Sequence, residues 1–289
     1  MTTAVSALPE RAVQGAEAGE RFPWGGLGIR AAALTYLTIL LIIPLAVLAR
    51  DGLRDGLDGL WRAISQPVAW HAIKLTLWTA GVMAVINALM GGLTAYVLVR
   101  YHFPGKALLN AIVDLPLAIP TLVTGVMLVV LYGPQSTPGG WLERELGLRV
   151  IFAPPGIILA LLFITFPFVV RAIQPVLLAL DKAQEEAAAT LGAGPWTIFR
   201  RVTFPELALP LSSGTLLSFA RAVGEFGAIV IVAGNIPLRS QTAAVYVLGA
   251  VESENRLAAS AVSLVMLALA FGMVLLVDWL QRRGKEASA

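Results

Sequence analysis

The chain has 289 residues, of which 57% are hydrophobic and only 13% charged, against about 25% charged in an ordinary soluble domain. With a mean hydropathy of +0.79, it has too little polar surface to stay dispersed in water, so lipid must solvate much of it. The net charge of +3 is modest, and the placement of Lys and Arg matters more than their sum. The absence of cysteine excludes disulfides, thiolate metal sites and a cysteine nucleophile.

The first 24 residues read as a flexible tail, whose Glu10, Glu17 and Glu20 argue against an organellar transit peptide. A hydrocarbon core of about 30 Å takes about 20 apolar residues as helix. Six runs meet that need, over residues 31–49, 75–99, 107–131, 157–180, 207–233 and 257–280. They define an all-α membrane domain over 25–281, followed by a short polar tail at 282–289. The first run lacks a small-residue cleavage site after it, so it reads as a span rather than a signal peptide. The connection from Asp51 to Lys74 mixes Asp51, Asp55 and Asp58 with Trp61 and Trp70 and reads as a surface helix near the headgroups. Proline and glycine recur inside the spans at Pro116, Pro120, Pro167, Pro175, Pro210 and Gly224, which suits helices that pack on each other or line a cavity. Basic residues mildly favour both termini inside: Arg30, Arg100, Lys106, Arg171, Lys182, Arg200 and Arg201 fall on that side.

The stretch Asp181–Pro205 between the fourth and fifth runs is too polar to span. Asp181 is placed to cap a helix, with Gln184 three residues on. Glu185 to Leu191 is rich in helix formers, Gly192 stands where a helix ends in a left-handed residue, and Pro195 suits the first turn of a second helix. Two short helices hinged at a glycine must lie against something, either their own bundle or another protein.

Residues Glu186, Ala187, Ala188, Gly192, Val202, Phe204 and Pro205 reproduce a Glu-Ala-Ala signature with its fixed gaps. The loop thereby resembles that of permease subunits in ATP-binding-cassette (ABC) importers. The segments Arg100–Lys106, Asp114–Thr121, Phe166–Arg171 with Gln174-Pro175, and Ser218–Ala228 with Gly234-Asn235 are similar to the oxyanion branch of those permeases. They resemble above all the T-type subunits of sulfate/thiosulfate permeases, although Gly-Glu-Phe-Gly-Ala is shared with molybdate permeases. The likeness runs from about Arg30 to Leu280. It implies a type I, six-span permease whose loop is a cytoplasmic coupling helix, with Glu185, Glu186, Ala187, Ala188, Gly192, Pro195, Val202, Phe204 and Pro205 meeting an ATPase. In that family Glu186 faces a basic partner and Gly192 makes the turn. The implied partners are a W-type second permease subunit, an ABC ATPase dimer and a periplasmic sulfate-binding protein, in a bacterial inner membrane, with no nucleic acid. The alternative substrate is molybdate or tungstate.

None of the four lysines lies in a Gly-Lys-Ser/Thr phosphate loop, and His71 and His102 lack metal-motif neighbours. The chain is therefore expected to be no enzyme and to carry no cofactor, with ATP and magnesium bound by the partner. An ion-coupled secondary carrier would need carboxylates deep in several spans, and only Asp114 and Glu225 qualify; Asp114 reads as a helix-start or interface residue. Arg221 and Glu225, four apart in the fifth run, fall on one helix face. Intramembrane charges are expensive and face a partner or a wet cavity. They form either a structural ion pair or, with Ser213 and Ser218, part of an anion pathway to which Arg221 lends positive potential. Ser212 and Thr215 add hydroxyls nearby.

Overall fold

In hydrocarbon a backbone must close its hydrogen bonds within the segment, which for a chain this apolar means helix. The computed structural model describes residues 24–287, with side chains over 28–282, and every regular element among the described residues is helical. The expected tail at 1–24, with Glu10, Glu17 and Glu20, lies outside the described residues but for Trp24, as do the side chains beyond Arg282.

The chain divides into two units, 1–47 and 48–289. In the first, α1 (Trp24–Leu37) passes through a π turn, Thr38–Ile42, into α2 (Ile43–Gly52), whose last five residues fall in the second. In the second come α3 (Gly56–Ile64), α4 (Pro67–Arg100), α5 (Lys106–Ala118), α6 (Thr121–Tyr132), α7 (Thr137–Leu146) and α8 (Pro154–Ala179). They are followed by α9 (Lys182–Thr190), α10 (Pro195–Ile198), α11 (Phe204–Val223), α12 (Gly227–Val232), α13 (Ala243–Glu252) and α14 (Arg256–Ala287).

Four described helical segments are long and apolar enough to cross a membrane: Gly28–Gly52, Pro67–Arg100, Pro154–Ala179 and Arg256–Arg282. The pair Lys106–Ala118 and Thr121–Tyr132 makes a fifth if taken as one span, but it is bent by 110°. The straight run expected over 107–131 is thus two helices, ended at Ile119 because Pro120 removes the N–H that would continue the ladder. The run expected over 207–233 is also divided, into α11 and α12 at Gly224–Phe226. Helix α11 has the length but carries Glu206, Ser212, Ser213, Thr215, Ser218 and Arg221, so apolar length alone accounts for four or five crossings rather than six. By contrast Pro116, Pro167, Pro175 and Pro210 lie inside continuous helices. The Asp51–Lys74 connection is not one surface helix: α3 holds Trp61, while Trp70 and Lys74 belong to α4, which starts at Pro67.

The core of the second unit forms where α4, α8 and α11 pack together, with α5 against α8 and α6 against α12. Ala95, Leu98, Val169, Val170, Ile173, Leu177 and Leu207 are all buried in one of its clusters. Small residues let the backbones approach, as is usual in membrane bundles. A Cβ on Gly91 of α4 would stand 2.9 Å from Val169 Cβ, and one on Gly214 of α11 would stand 2.7 Å from Ala172 Cβ.

Candidate functional site

The Asp181–Pro205 segment folds as its capping residues predict. The Asp181 carboxylate accepts the Ala183 N–H at 2.9 Å, which supplies one of the donors that the first turn of α9 leaves open. At the other end Gly192 has φ +84°, and the N–H groups of Gly192 and Ala193 donate to Ala189 O (3.0 Å) and Ala188 O (3.1 Å). This is the Schellman arrangement, which favours glycine because a Cβ is penalised in the left-handed region. Pro195 then opens α10 at its first position. The second helix continues through a π turn, Phe199–Thr203, directly into α11, so Val202 lies in that turn and Phe204 and Pro205 are the first two residues of α11.

The two glutamates face different ways. Glu185 Oε1 lies 2.5 Å from Arg100 Nη2 and accepts the Thr203 hydroxyl at 2.7 Å. Glu186 and Ala187 are exposed, and Ala188 is half-buried. Leu191 is 89% exposed and Trp196 is 71% exposed, on an element with no buried residue in either helix. Trp196 stacks on Phe199 at 5.7 Å, and Phe199 meets Tyr96 of α4 edge-on at the same centroid distance of 5.7 Å.

Arg221 and Glu225 pair at 2.7 Å, as their spacing predicts, yet not on one helix. Glu225 stands beyond the end of α11, and its other carboxylate oxygen accepts the Ala228 N–H at 3.1 Å, at the start of α12. Its side chain is 2% exposed and that of Arg221 is 36% exposed. The hydroxyls expected beside them are mostly committed elsewhere. Ser218 is fully buried and donates toward Thr165 O (3.4 Å) and Met83 Sδ (3.6 Å). Ser212 and Thr215 donate to the carbonyls of Leu209 and Leu211 in their own helix. Of these four hydroxyls, Ser213 Oγ alone is buried with no protein partner.

Two polar groupings escaped the sequence reading. Asn87 of α4 donates to Thr165 Oγ1 of α8 at 2.8 Å, and Thr165 returns its proton to Leu161 O at 2.7 Å; with Ser218 this makes a buried junction of α4, α8 and α11. Arg171 is not at a helix end but inside α8. Its Nε and Nη2 donate to the two carboxylate oxygens of Asp114 at 2.7 and 2.5 Å. Its Nη1 donates to Asn110 Oδ1 at 2.9 Å and to Gln174 Oε1, and Nη2 also reaches Asn110 O at 3.0 Å. All five guanidinium donors are thus matched. Asp114 lies mid-helix in α5 and meets α8, so of its two expected roles it takes the interface one, not the helix start. The signal available was an arginine inside an unbroken apolar run, Phe166 to Leu180, with a lone aspartate in another. Among the described residues no group of three His, Cys, Asp or Glu converges as a metal site.

Residues 87–286 match the family described as binding-protein-dependent transport system inner membrane component. The sulfate transport system permease protein CysT of Synechocystis sp. is 38% identical over 256 residues, 88% of each chain. CysT of Escherichia coli is 38% identical over 251 residues, 87% of this chain and 90% of that protein. Among solved structures, a chain of a bacterial alginate ABC transporter in complex with alginate pentasaccharide-bound periplasmic protein superposes with a TM-score of 0.75 at 18% identity. It covers 90% of this chain and 95% of that one. The architecture is that of a type I ABC permease, and its apolar helices make it a multi-pass membrane protein. The chain belongs to the binding-protein-dependent transport system inner membrane components, and within them to the CysT-type permeases.

Proposed function

We propose that this chain is the permease subunit of an ATP-driven importer of sulfate or thiosulfate, that it forms half of the translocation pathway, and that α9 and α10 are its docking element for a separate ATPase. The observation that carries the docking role is the exposed tip: Leu191 and Trp196 project from a polar surface element beside the outward-facing Glu186. Large apolar side chains grouped on a polar surface mark a protein interface. In this reading Glu186 meets a basic residue of the ATPase, Gly192 holds the turn, and both termini lie in the cytoplasm of a bacterial inner membrane with α11 as a further crossing. A W-type permease supplies the other wall of the pathway, and a periplasmic binding protein delivers the anion. ATP and magnesium belong to the ATPase subunits.

The substrate reading rests on the named relatives and on positive charge inside the bundle. Arg221, part-open beside buried Glu225, lends positive potential to the anion's path, Ser213 offers an uncommitted hydroxyl, and Ser218 holds the surrounding helices together. Conduction needs weak binding, so an arginine half-neutralised by Glu225 suits the task better than a bare one. Labelled-anion uptake in a strain deleted for the endogenous permease, complemented by this chain with its partner subunits, tests the assignment. Restored uptake of sulfate, competed by thiosulfate, is expected. Restored molybdate uptake without sulfate uptake would move the chain to the molybdate/tungstate branch.

A further inference from the structure

We infer that Arg100, Glu185 and Thr203 form a clasp that converts displacement of α9 into joint movement of α4 and α11, and that these three are positioning residues for coupling. The inference rests on the importer reading, in which α9 is the part of the chain an ATPase would push.

Helix α9 has no buried residue. Asp181 and Thr190 hydrogen-bond only within its own turns. Among the described residues, the Glu185 carboxylate makes the only side-chain hydrogen bonds from α9 to other elements, and it makes two through one oxygen, to Arg100 at 2.5 Å and to Thr203 at 2.7 Å. Arg100 is the last residue of α4. Thr203, 1% exposed, closes the π turn from which α11 starts. One carboxylate thus holds the end of one core helix and the start of another. Helix α10 is attached differently, through Trp196 stacked on Phe199 of the π turn, whose ring meets Tyr96, and gives α9 no second polar anchor.

The clasp differs from an ordinary surface pair, which contributes little. The Arg100 side chain is 10% exposed and that of Glu185 23%. Among the described residues Arg100 also has no other acceptor: its Nε is buried without a partner, whereas Arg171 matches all five of its donors. Its hold is therefore directed at Glu185 alone. A displacement of α9 must strain the bond to Arg100, the bond to Thr203, or both, unless α4 and α11 follow. Those helices pack on each other and on α8, so the force enters the core at two points. Neighbouring glutamates divide the work, with Glu186 outward to the ATPase and Glu185 inward to the helices.

The test is made on the complete transporter, reconstituted in proteoliposomes with its ATPase subunits and binding protein. Arg100→Gln, Glu185→Gln and Thr203→Val are compared with the swap Arg100→Glu/Glu185→Arg. For the single variants, anion imported per ATP hydrolysed should fall about tenfold, within the range of coupling between sites; for Arg100→Gln and Thr203→Val, which lie outside the docking set, assembled complex and basal ATPase rate should hold. The swap should recover most of the ratio. A merely structural pair would alter the amount of complex and leave the ratio alone. Amide hydrogen exchange of α9, which needs no transport, should quicken in the single variants and slow again in the swap. Unchanged α9 exchange, or an unchanged ratio in all three single variants, overturns the clasp. A wild-type complex that imports no anion refutes the importer reading instead, and α9 exchange still judges the clasp.

Discussion

Removing Asp114 tests whether the Arg171 cluster is a closed ionic unit inside the membrane. Arg171 lies eight residues before the end of α8 at Ala179, and Asp114 eight residues after the start of α5 at Lys106. At about 1.5 Å per residue both sit about 12 Å from those helix ends, so the pair is matched in depth between antiparallel helices. Asp114→Ala removes two of five acceptors and the only countercharge in the cluster. A lone arginine costs roughly 2.5–3.5 kcal/mol at a span's centre and less toward its end. About 2 kcal/mol is therefore expected here, a roughly 30-fold shift toward the unfolded state. Arg171→Lys should lose nearly as much, because an ammonium cannot reproduce the fork that engages both Asp114 oxygens. Replacing both partners, Arg171→Met with Asp114→Leu, should recover most of the loss, since it removes the stranded charge. The assay is unfolding of the purified chain in mixed micelles by added dodecyl sulfate, followed by circular dichroism. An Asp114→Ala chain within about 0.5 kcal/mol of wild type, the range of ordinary surface changes, would refute the reasoning. So would a double variant no better than the single.

Two further outcomes follow from packing and exposure. Gly214→Leu would place a Cβ 2.7 Å from Ala172 Cβ and 3.2 Å from Val169 Cα, so α8 and α11 must separate at a cost of about 1–3 kcal/mol; a thermal midpoint in detergent equal to wild type would show that the gap is not tight. Glu186→Lys changes an exposed side chain and should leave the amount of chain in the membrane unchanged while abolishing co-purification of the ATPase and uptake. Undiminished transport would remove Glu186 from the docking surface.

What the sequence made legible depended on whether the deciding interaction is local. The Asp181 cap, the left-handed Gly192 and Pro195 at a first turn each act within a few residues, and all three stand where the spacing places them. The start of α7 is as local, with Ser136 accepting the Gly139 N–H at 3.0 Å, but that helix is too short to register as a periodic run and went unread. The pairing of Arg221 with Glu225 was readable from a spacing of four, but the end of the helix between them was not. The turn at Gly224–Phe226 keeps the two charges in reach while turning the Glu225 carboxylate toward the N–H groups of α12. Least legible were Asn87 and Thr165, which lie 78 residues apart; each by itself is an ordinary polar residue in an apolar run.

The two helix breaks belong to one design. Proline alone does not decide them: Pro120 ends α5, but Pro167, Pro175 and Pro210 are carried within helices, and the break between α11 and α12 holds no proline. The difference lies in what meets the chain at the break. A Cβ on Gly227, the first residue of α12, would fall 2.2 Å from Thr121 Oγ1, on the first residue of α6; one on Gly125 would fall 2.8 Å from Ala228 O. The start of α6 and the start of α12 therefore abut, Gly125 against the Ala228 backbone and Gly227 against the Thr121 side chain, at separations that favour glycine. Breaking either helix alone would leave its first-turn N–H groups facing hydrocarbon, at several kcal/mol each. At this double break Glu225 satisfies one such group, the Ala228 N–H at the start of α12. The 110° bend of α5–α6 and the Glu225 turn are thus two halves of a single non-helical layer within the bundle. Buried Thr124 and the Arg221–Glu225 pair stand along it, so this ion pair lies where the helical backbone has already been opened.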